Sequence, residues 1–500
     1  MSEGENRLEQ ERALIAEAKS KGTMATLGVY TRLSGPGWLQ SAITLGGGSL
    51  AGALFLGILG GTNLLWLQLI AITMGVIMLS AISYVTLSTG ERPFRAINRH
   101  INPVLGWGWI IATMLANMIW CMPQFSLCFA ALQKNLLGAD TVPDDRNTKL
   151  MISAAILIAS TIAVILNSRQ GTAAKVFDWF LKGLVGIVVI CFVGVVVMLT
   201  TKGALDWGYI LSGFIPNLSQ WSTPTGKIAE LISALDPSQQ EFWKTRVVAS
   251  QREVMIGAAA TAVGINMTFL MPYSLLKRGW DKTFRGLSRF DLCTGMAIPY
   301  VLVTSCVVIA TAAQFHAQVD DEFLSNDPVV MQTSSSFNGS LGSLTDRVML
   351  DEAEDADLTD EALLQKIADL PDEEKIIASS MVKRSAFELA TALAPLLGDK
   401  PARIAFGLGI FGMGFSSVII LMLINGFAVC EILNKPLGGT THVVGCLIAG
   451  ITGALWPFIW EGESQVYLAI VASSFGMMLL PIAYITFMMM MNSKRLLGDA

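Results

Sequence analysis

Ten long apolar segments are the feature that most limits what this 500-residue chain can fold into. Several exceed roughly 18 residues, the length at which an apolar stretch is typical of a membrane-spanning helix. Charged residues make up 15 % of the chain, whereas soluble domains carry roughly a quarter. The sequence therefore predicts an all-α polytopic membrane protein with about ten transmembrane helices, near residues 34–59, 63–88, 104–133, 150–167, 174–200, 254–276, 290–315, 402–430, 442–459 and 465–491.

Lysine and arginine residues between the segments predict the orientation, because short cytoplasmic loops carry an excess of them. They fall on one side of the predicted membrane, which places both termini in the cytoplasm and suggests the cell (inner) membrane. The basic residues concerned are Arg92, Arg95, Arg99, Arg169, Lys175, Lys277, Arg278, Lys282, Arg285, Arg289, Lys435, Lys494 and Arg495. The predicted domains are a cytoplasmic segment (1–33), helices 1–7 (34–316), an acidic extracytoplasmic insert (317–390), and helices 8–10 with a short tail (391–500).

Two features predict that spanning helices are interrupted. The stretch "TLGGGSLAG", residues 44–52, places three glycines in the first span, and glycine leaves helical geometry readily. In the sixth span Pro272 removes a helical hydrogen bond. Unwound backbone is tolerated in lipid only where it is buried in protein or lines a cavity. Breaks at matching places in two five-span halves indicate an inverted-repeat transporter with its site at the midplane.

Each interruption also has a purely structural interpretation. Glycine runs allow close helix packing, and a proline within a membrane helix is often only a kink. It is the occurrence of both features, one in each half, that favours a substrate site.

The candidate substrate-binding residues lie beside the two predicted breaks. They are Gly46, Gly47, Gly48 and Ser49 in the first span, and Asn266, Thr268, Met271 and Tyr273 in the sixth. An interrupted helix offers free carbonyl groups at one end and free N–H groups, which favour anions, at the other. Asn117 and Gln124 are further polar candidates in the third span.

Several function classes are disfavoured by what the sequence lacks. It contains no phosphate-binding loop, no paired intramembrane carboxylates and no His/Cys metal cluster, which argues against an enzyme and against a primary pump. The seven cysteines lack the spacing of a disulfide or metal framework. We therefore expect a gradient-driven or facilitative transporter with no cofactor and no nucleic-acid partner. Its partners are the lipid bilayer and a small solute or ion, and the oligomeric state stays open.

Motifs along the chain resemble those of the Nramp (natural resistance-associated macrophage protein) metal-ion transporters. The matching stretches occur in family order over most of residues 30–316 and 386–498: "LSGPGWLQSA", "AVGINMTFLMPYSLL", "VVIATAAQFH", "LAPLLG", "GLGIFGMGFSS", "NGFAVCEIL" and "LLPIAYITFMMMMNSKRLLG". The resemblance implies a five-plus-five inverted repeat, shared with amino-acid transporters, whose helices 1 and 6 are discontinuous. It also implies transport of a divalent metal cation by alternating access.

The resemblance also shows where this chain departs from the family. The family's metal-binding Asp-Pro-Gly-Asn falls on Gly46–Ser49, its methionine on Met271 and its histidine on Tyr273. Met271 is thus the only candidate metal ligand that is kept. Transition metals in a dry pocket usually need hard oxygen ligands, so the site must be remade. The alternatives are a small anion (bicarbonate- or carboxylate-like), a neutral solute, or a non-transporting receptor or sensor that uses the acidic insert.

Overall fold

The structure is a computed structural model that describes residues 3–138, 141–168, 172–351, 359–460 and 465–498. Every regular element in these ranges is a helix, as predicted. Part of the predicted acidic stretch, residues 352–358, lies outside the described residues.

The first half of the chain contains nine α-helices. In order they are α1 (Glu3–Lys21), α2 (Thr23–Leu33), α3 (Pro36–Thr44), α4 (Gly47–Gly60), α5 (Leu65–Thr89), α6 (Pro93–His100), α7 (Pro103–Ala130), α8 (Arg146–Ser168) and α9 (Thr172–Thr201). A π-helical turn, Ala131–Leu136, extends α7.

The second half begins with α10 (Trp207–Ser212), a 3₁₀ turn (Leu218–Trp221), α11 (Gly226–Ala234), α12 (Pro237–Ala262) and α13 (Ile265–Lys277). A 3₁₀ turn (Lys282–Phe284), α14 (Arg285–Asp291), a π-helical turn (Leu292–Ala297) and α15 (Ile298–Phe315) follow. The insert contains α16 (Pro328–Met331), α17 (Phe337–Asp351), α18 (Asp360–Ala368), α19 (Asp372–Ser380) and α20 (Ala386–Leu397). The chain continues with α21 (Asp399–Ile432), α22 (Gly439–Ala454), α23 (Trp456–Ile459), α24 (Gln465–Met491) and α25 (Lys494–Leu497).

The helices account for the ten predicted apolar segments. Among the described residues, seven helical segments are long and apolar enough to cross a membrane, and α3 with α4 makes an eighth. The other two predicted segments correspond to shorter apolar helices, α22 and residues Phe475–Met491 of α24. The protein is thus an all-α polytopic membrane protein.

Both predicted discontinuities are present, but the second is not where the sequence placed it. The axis of the first span bends by 54° between α3 and α4, at Leu45 and Gly46. The sixth span is interrupted at Val263 and Gly264, whose backbones are extended. Pro272 instead lies inside the continuous helix α13. A proline removes one hydrogen bond from a helix, and the remaining bonds keep this buried helix intact.

Two buried carboxylates, Asp291 and Glu431, lie at the ends of predicted spanning segments. Asp291 accepts hydrogen bonds from the backbone N–H of Gly35 (3.1 Å) and Gly37 (2.6 Å) and from the Ser34 hydroxyl. It therefore caps the start of α3, where N–H groups are free and negative charge is favourable. Glu431, near the end of α21, pairs with Arg92 and Arg95, each at 3.1 Å.

Most of the predicted insert packs with helices that precede the sixth span. We call α11, the first half of α12 (237–251) and the described residues 319–351 and 359–381 the insert module. They share a core that also contains Leu59, near the end of α4. The insert module therefore rests on the C-terminal end of the first span and includes the beginning of the sixth. Its core residues include Ile228, Ile232, Trp243, Val247, Phe323, Met331, Phe337, Leu344, Val348, Ile367 and Ile377.

A buried ion pair lies within this core. The Arg347 Nε atom lies 2.6 Å from Glu374 Oε2, and the Trp243 indole donates to the same oxygen at 2.7 Å. The side chains of Arg347 and Glu374 are 1 % and 0 % exposed. Such a pair is favourable only while both partners are present, because either charge alone would be buried without compensation.

Candidate functional site

The Ser49 side chain joins the two interrupted helices. Its hydroxyl contacts the carbonyl oxygen of Thr44, in the last turn of α3, and lies 3.4 Å from the carbonyl oxygen of Thr261, in the last turn of α12. Both carbonyls belong to helix ends, where the intrahelical partner is missing. The two breaks are therefore adjacent in space, although Ser49 and Thr261 lie 212 positions apart in the chain.

Helix α3 also contacts the first turn of α13. The Gln40 amide donates to the carbonyl oxygen of Met267 at 3.4 Å, and the Thr44 hydroxyl lies 3.5 Å from the Met267 sulfur. Met267 is the third residue of α13, directly after the second break. A thioether is thus present where the two breaks meet, and it belongs to Met267.

One face of α7 covers both breaks. Trp109, Thr113, Asn117, Trp120 and Gln124 recur at intervals of three or four residues, which places them along one side of the helix. The Trp109 indole donates to the Thr268 hydroxyl of α13 at 3.0 Å. The side-chain Oε1 atom of Gln124 accepts from the Gly47 N–H of α4, also at 3.0 Å.

Two polar side chains in the middle of this stripe have no hydrogen-bond partner in the described part of the chain. Both amide atoms of Asn117 and the hydroxyl of Thr113 are buried without one. The Oε1 atom of Gln40 is also buried without a hydrogen-bond partner among the described residues. Each unpaired polar group costs roughly 1–3 kcal/mol, so native proteins keep few of them. A group of unpaired donors and acceptors beside two helix breaks is what a site for a polar ligand requires.

The structure brings six of the eight predicted site residues to the breaks. Gly46 and Gly47 lie at the first break, and Ser49 links it to the second. Gly48 lies against Trp120. Asn266 accepts from the Met267 N–H at 2.9 Å in the first turn of α13, and Thr268 contacts Trp109.

The structure does not bring Met271 and Tyr273 to the breaks. They lie seven and nine residues beyond Gly264, or about 10–14 Å along a helix. Tyr273 stacks on Phe269 with a ring separation of 4.3 Å. The nearby charged groups are Glu431, Arg92 and Arg95, and the tyrosine side chain is fully buried.

Sequence reasoning missed Gln40, Thr113, Thr261 and Met267. A signal for Thr113 is present in the sequence, because it lies four residues before Asn117 on the same helix face. The others become visible only once the position of the second break is known. The described residues contain no group of three or more His, Cys, Asp or Glu side chains placed to hold a metal ion. The donors at the breaks are neutral oxygen and nitrogen atoms and one thioether.

We predict that Gly48→Ala disturbs the site. A β-carbon at Gly48 would lie 2.4 Å from the Trp120 ring, so this rigid side chain must move. We expect a loss of about 1–3 kcal/mol in the free energy of unfolding and a severalfold lower transport rate. Gly194→Ala in α9 is the matched control, because nothing lies within 4 Å of its added β-carbon. Equal stability and transport in both variants would contradict the close packing of Trp120 against the break.

A family model described as "Natural resistance-associated macrophage protein-like" matches residues 37–326 and 375–500. Among curated proteins, none matches. The chain is similar to solved structures of a manganese transporter from Eremococcus coleocola. Two mutants align with 14 % identity and a TM-score of 0.47, over 94 % of this chain and 96 % of theirs. A complex with an aromatic bis-isothiourea substituted compound has the same identity and coverage, with a TM-score of 0.46.

Proposed function

Since this chain belongs to the natural resistance-associated macrophage protein family of membrane transporters, we propose that it moves a divalent metal cation through the site between its two breaks. The mechanism is secondary transport by alternating access. The observation that carries the proposal is the unpaired Asn117 side chain, buried on the face of α7 that covers both breaks.

The polarity of the helix ends supports a cation. Helices α3 and α12 both end at the site, and their final carbonyl groups converge on Ser49. The C-terminal end of a helix carries partial negative charge, which is favourable for a positive ion. A rotation of the Ser49 hydroxyl would free the carbonyl oxygens of Thr44 and Thr261 to act as ligands.

The neutral side chains support a cation that keeps part of its hydration shell. No carboxylate replaces the lost water, so complete dehydration of a divalent ion would be costly here. Bound water molecules can instead donate to Asn117 Oδ1 and Gln40 Oε1, whose lone pairs are unused. The Met267 sulfur adds a soft contact that suits transition metals better than Mg²⁺. The remade site is thus one of neutral oxygens and a thioether.

The anion alternative has less support at the start of α4. An anion there would need free N–H groups, but the Gly47 N–H already donates to Gln124. A receptor using the acidic insert is also less well supported, because the insert module shares its core with α12, a helix that ends at the site.

We also propose that both termini are cytoplasmic and the insert extracytoplasmic, as the basic loops predict.

The test is Mn²⁺ uptake into proteoliposomes, followed by quenching of an enclosed dye, with a typical Nramp transporter as positive control. We expect uptake above that of empty liposomes. Because a site that leaves water on the ion discriminates weakly by size, we also expect excess Mg²⁺ to reduce Mn²⁺ uptake. Absence of Mn²⁺ uptake while the control is active would refute metal transport. Uptake that excess Mg²⁺ leaves unchanged would refute the retained hydration shell.

A further inference from the structure

A cavity lies away from the breaks, on the side of the membrane helices that carries the insert module. It is a groove of about 450 Å³ between α5, α12 and α24, closed at one end by the 3₁₀ turn Leu218–Trp221. Its lining contains no charged side chain and consists of Trp66, Leu67, Leu218, Trp221, Met255, Ile256, Ala259 and Met477. We call it the apolar groove.

The apolar groove opens to the surroundings of the membrane helices. Leu218 and Trp221 are 77 % and 46 % exposed, and Ile256 is 41 % exposed. Ile256 lies on the outer surface of a helix that is long and apolar enough to span a membrane, so lipid is the medium expected beside it, and Leu218 and Trp221 lie on the 3₁₀ turn at the end of the groove. A wholly apolar groove facing lipid holds hydrocarbon rather than ordered water, which needs two to four polar partners.

The positively charged side chain of Arg252 lies at the end of the apolar groove nearest the insert module. Arg252 lies three, four and seven residues before Met255, Ile256 and Ala259, so all four share one face of α12. Its Nε atom donates to the Trp221 carbonyl at 2.7 Å, and its guanidinium lies 5.7 Å from the Trp221 ring centre. These contacts hold the guanidinium at the rim. Neither of its two terminal nitrogens has a hydrogen-bond partner among the described residues.

We infer that the apolar groove binds one anionic phospholipid, with an acyl chain along α12 and the phosphate at Arg252. The guanidinium suits the phosphate because it donates parallel hydrogen bonds to two oxygens. Trp66 and Trp221 line the groove, and tryptophan is enriched in membrane proteins at the depth between hydrocarbon and head group. The positive charge at the rim and the apolar lining together favour a lipid that has a negatively charged head group and an acyl chain.

The lipid would stabilise the position of α12, the half of the sixth span that ends at the proposed transport site. Ala259 lines the groove, and the neighbouring Ala258 packs against Gly52 of α4, where an added β-carbon would lie 3.1 Å from the Ala258 α-carbon. The lipid thus contacts the face of α12 that adjoins the face packed on α4. This inference concerns the lipid contact and does not depend on which ion or solute the central site carries.

The test measures the melting temperature of the full-length protein in detergent, with phosphatidylglycerol or phosphatidylcholine of identical acyl chains. We expect phosphatidylglycerol to raise the melting temperature of the wild type more than phosphatidylcholine does. Arg252→Gln should weaken the apparent affinity for phosphatidylglycerol about tenfold, the loss expected for a charge-assisted hydrogen bond. Arg252→Lys should restore part of it. Lys244→Gln, an exposed charge on the same helix outside the groove, should respond as the wild type does.

A second pair of variants tests the position of the acyl chain. Ala259→Phe fills the groove and should abolish stabilisation by both lipids, whereas Ala155→Phe, at an exposed position on α8, should not. The inference is overturned if Arg252→Gln keeps the wild-type preference for phosphatidylglycerol. It is equally overturned if Ala259→Phe keeps the wild-type response.

Discussion

Replacing Asn117 by leucine is expected to reduce the initial rate of metal uptake at least about tenfold, without lowering the melting temperature. Leucine has nearly the shape of asparagine and removes two buried polar atoms that have no partner in the described structure. The folded protein therefore loses no internal hydrogen bond, whereas the substrate loses its contact on α7. Proteoliposome uptake and a thermal melt of the same preparation measure the two effects.

A second buried asparagine supplies the control. The Asn425 amide donates to the Gly445 carbonyl at 2.9 Å, between α21 and α22. Asn425→Leu breaks this bond, so it should lower the melting temperature. If Asn117→Leu transports at the wild-type rate, or destabilises the protein as much as Asn425→Leu does, Asn117 is a structural residue and the proposed site is wrong.

Replacing Arg347 by methionine is expected to destabilise the insert module by about 3–5 kcal/mol. The substitution leaves the Glu374 carboxylate fully buried, with only the Trp243 indole as a donor. Thermal melts and limited proteolysis within residues 319–381 measure the loss. The double variant Arg347→Met with Glu374→Gln should recover part of it, because the uncompensated charge is then absent.

An exposed ion pair provides the comparison for this prediction. Arg403 and Asp399 lie 4.0 Å apart on α21, with 41 % and 68 % of their side chains exposed. Arg403→Met should change the free energy of unfolding by less than about 1 kcal/mol, since solvent screens such pairs. Equal effects of the two arginine substitutions would show that the pair in the insert module does not support its core.

The sequence was sufficient for the fold class and for the first break, because these depend on local properties. A membrane helix requires a long apolar stretch, and a run of three glycines weakens the helix that contains it. The second break was misplaced because Pro272 is a conspicuous residue, whereas Val263 and Gly264 are not. The Thr261 carbonyl finds a partner in Ser49, and no sequence pattern records a contact between two residues so far apart.

The candidate site residues that could be predicted are likewise those marked by local properties of the sequence. Gly46–Ser49 were predicted from the first break, which falls at Leu45 and Gly46, directly before Gly47–Ser49 in α4. Asn117 and Gln124 stood out as polar residues in an apolar helix. Met271 was preferred over Met267 because of its place in a family motif, whereas the structure puts the Met267 sulfur beside Thr44. Asp291 was missed because its partners are backbone N–H groups of α3, which carry no sequence signal.

Helix α12 is continuous and therefore couples movements of the insert module to the candidate site. This helix of 26 residues, about 39 Å long, runs without interruption from the core of the module to the second break. A tilt of roughly 10° at the break would swing its far end by about 7 Å. Spin labels on the module and on α21 would therefore register the transport cycle as a change in distance. An antibody fragment that clamps the module should stop the cycle without touching the site.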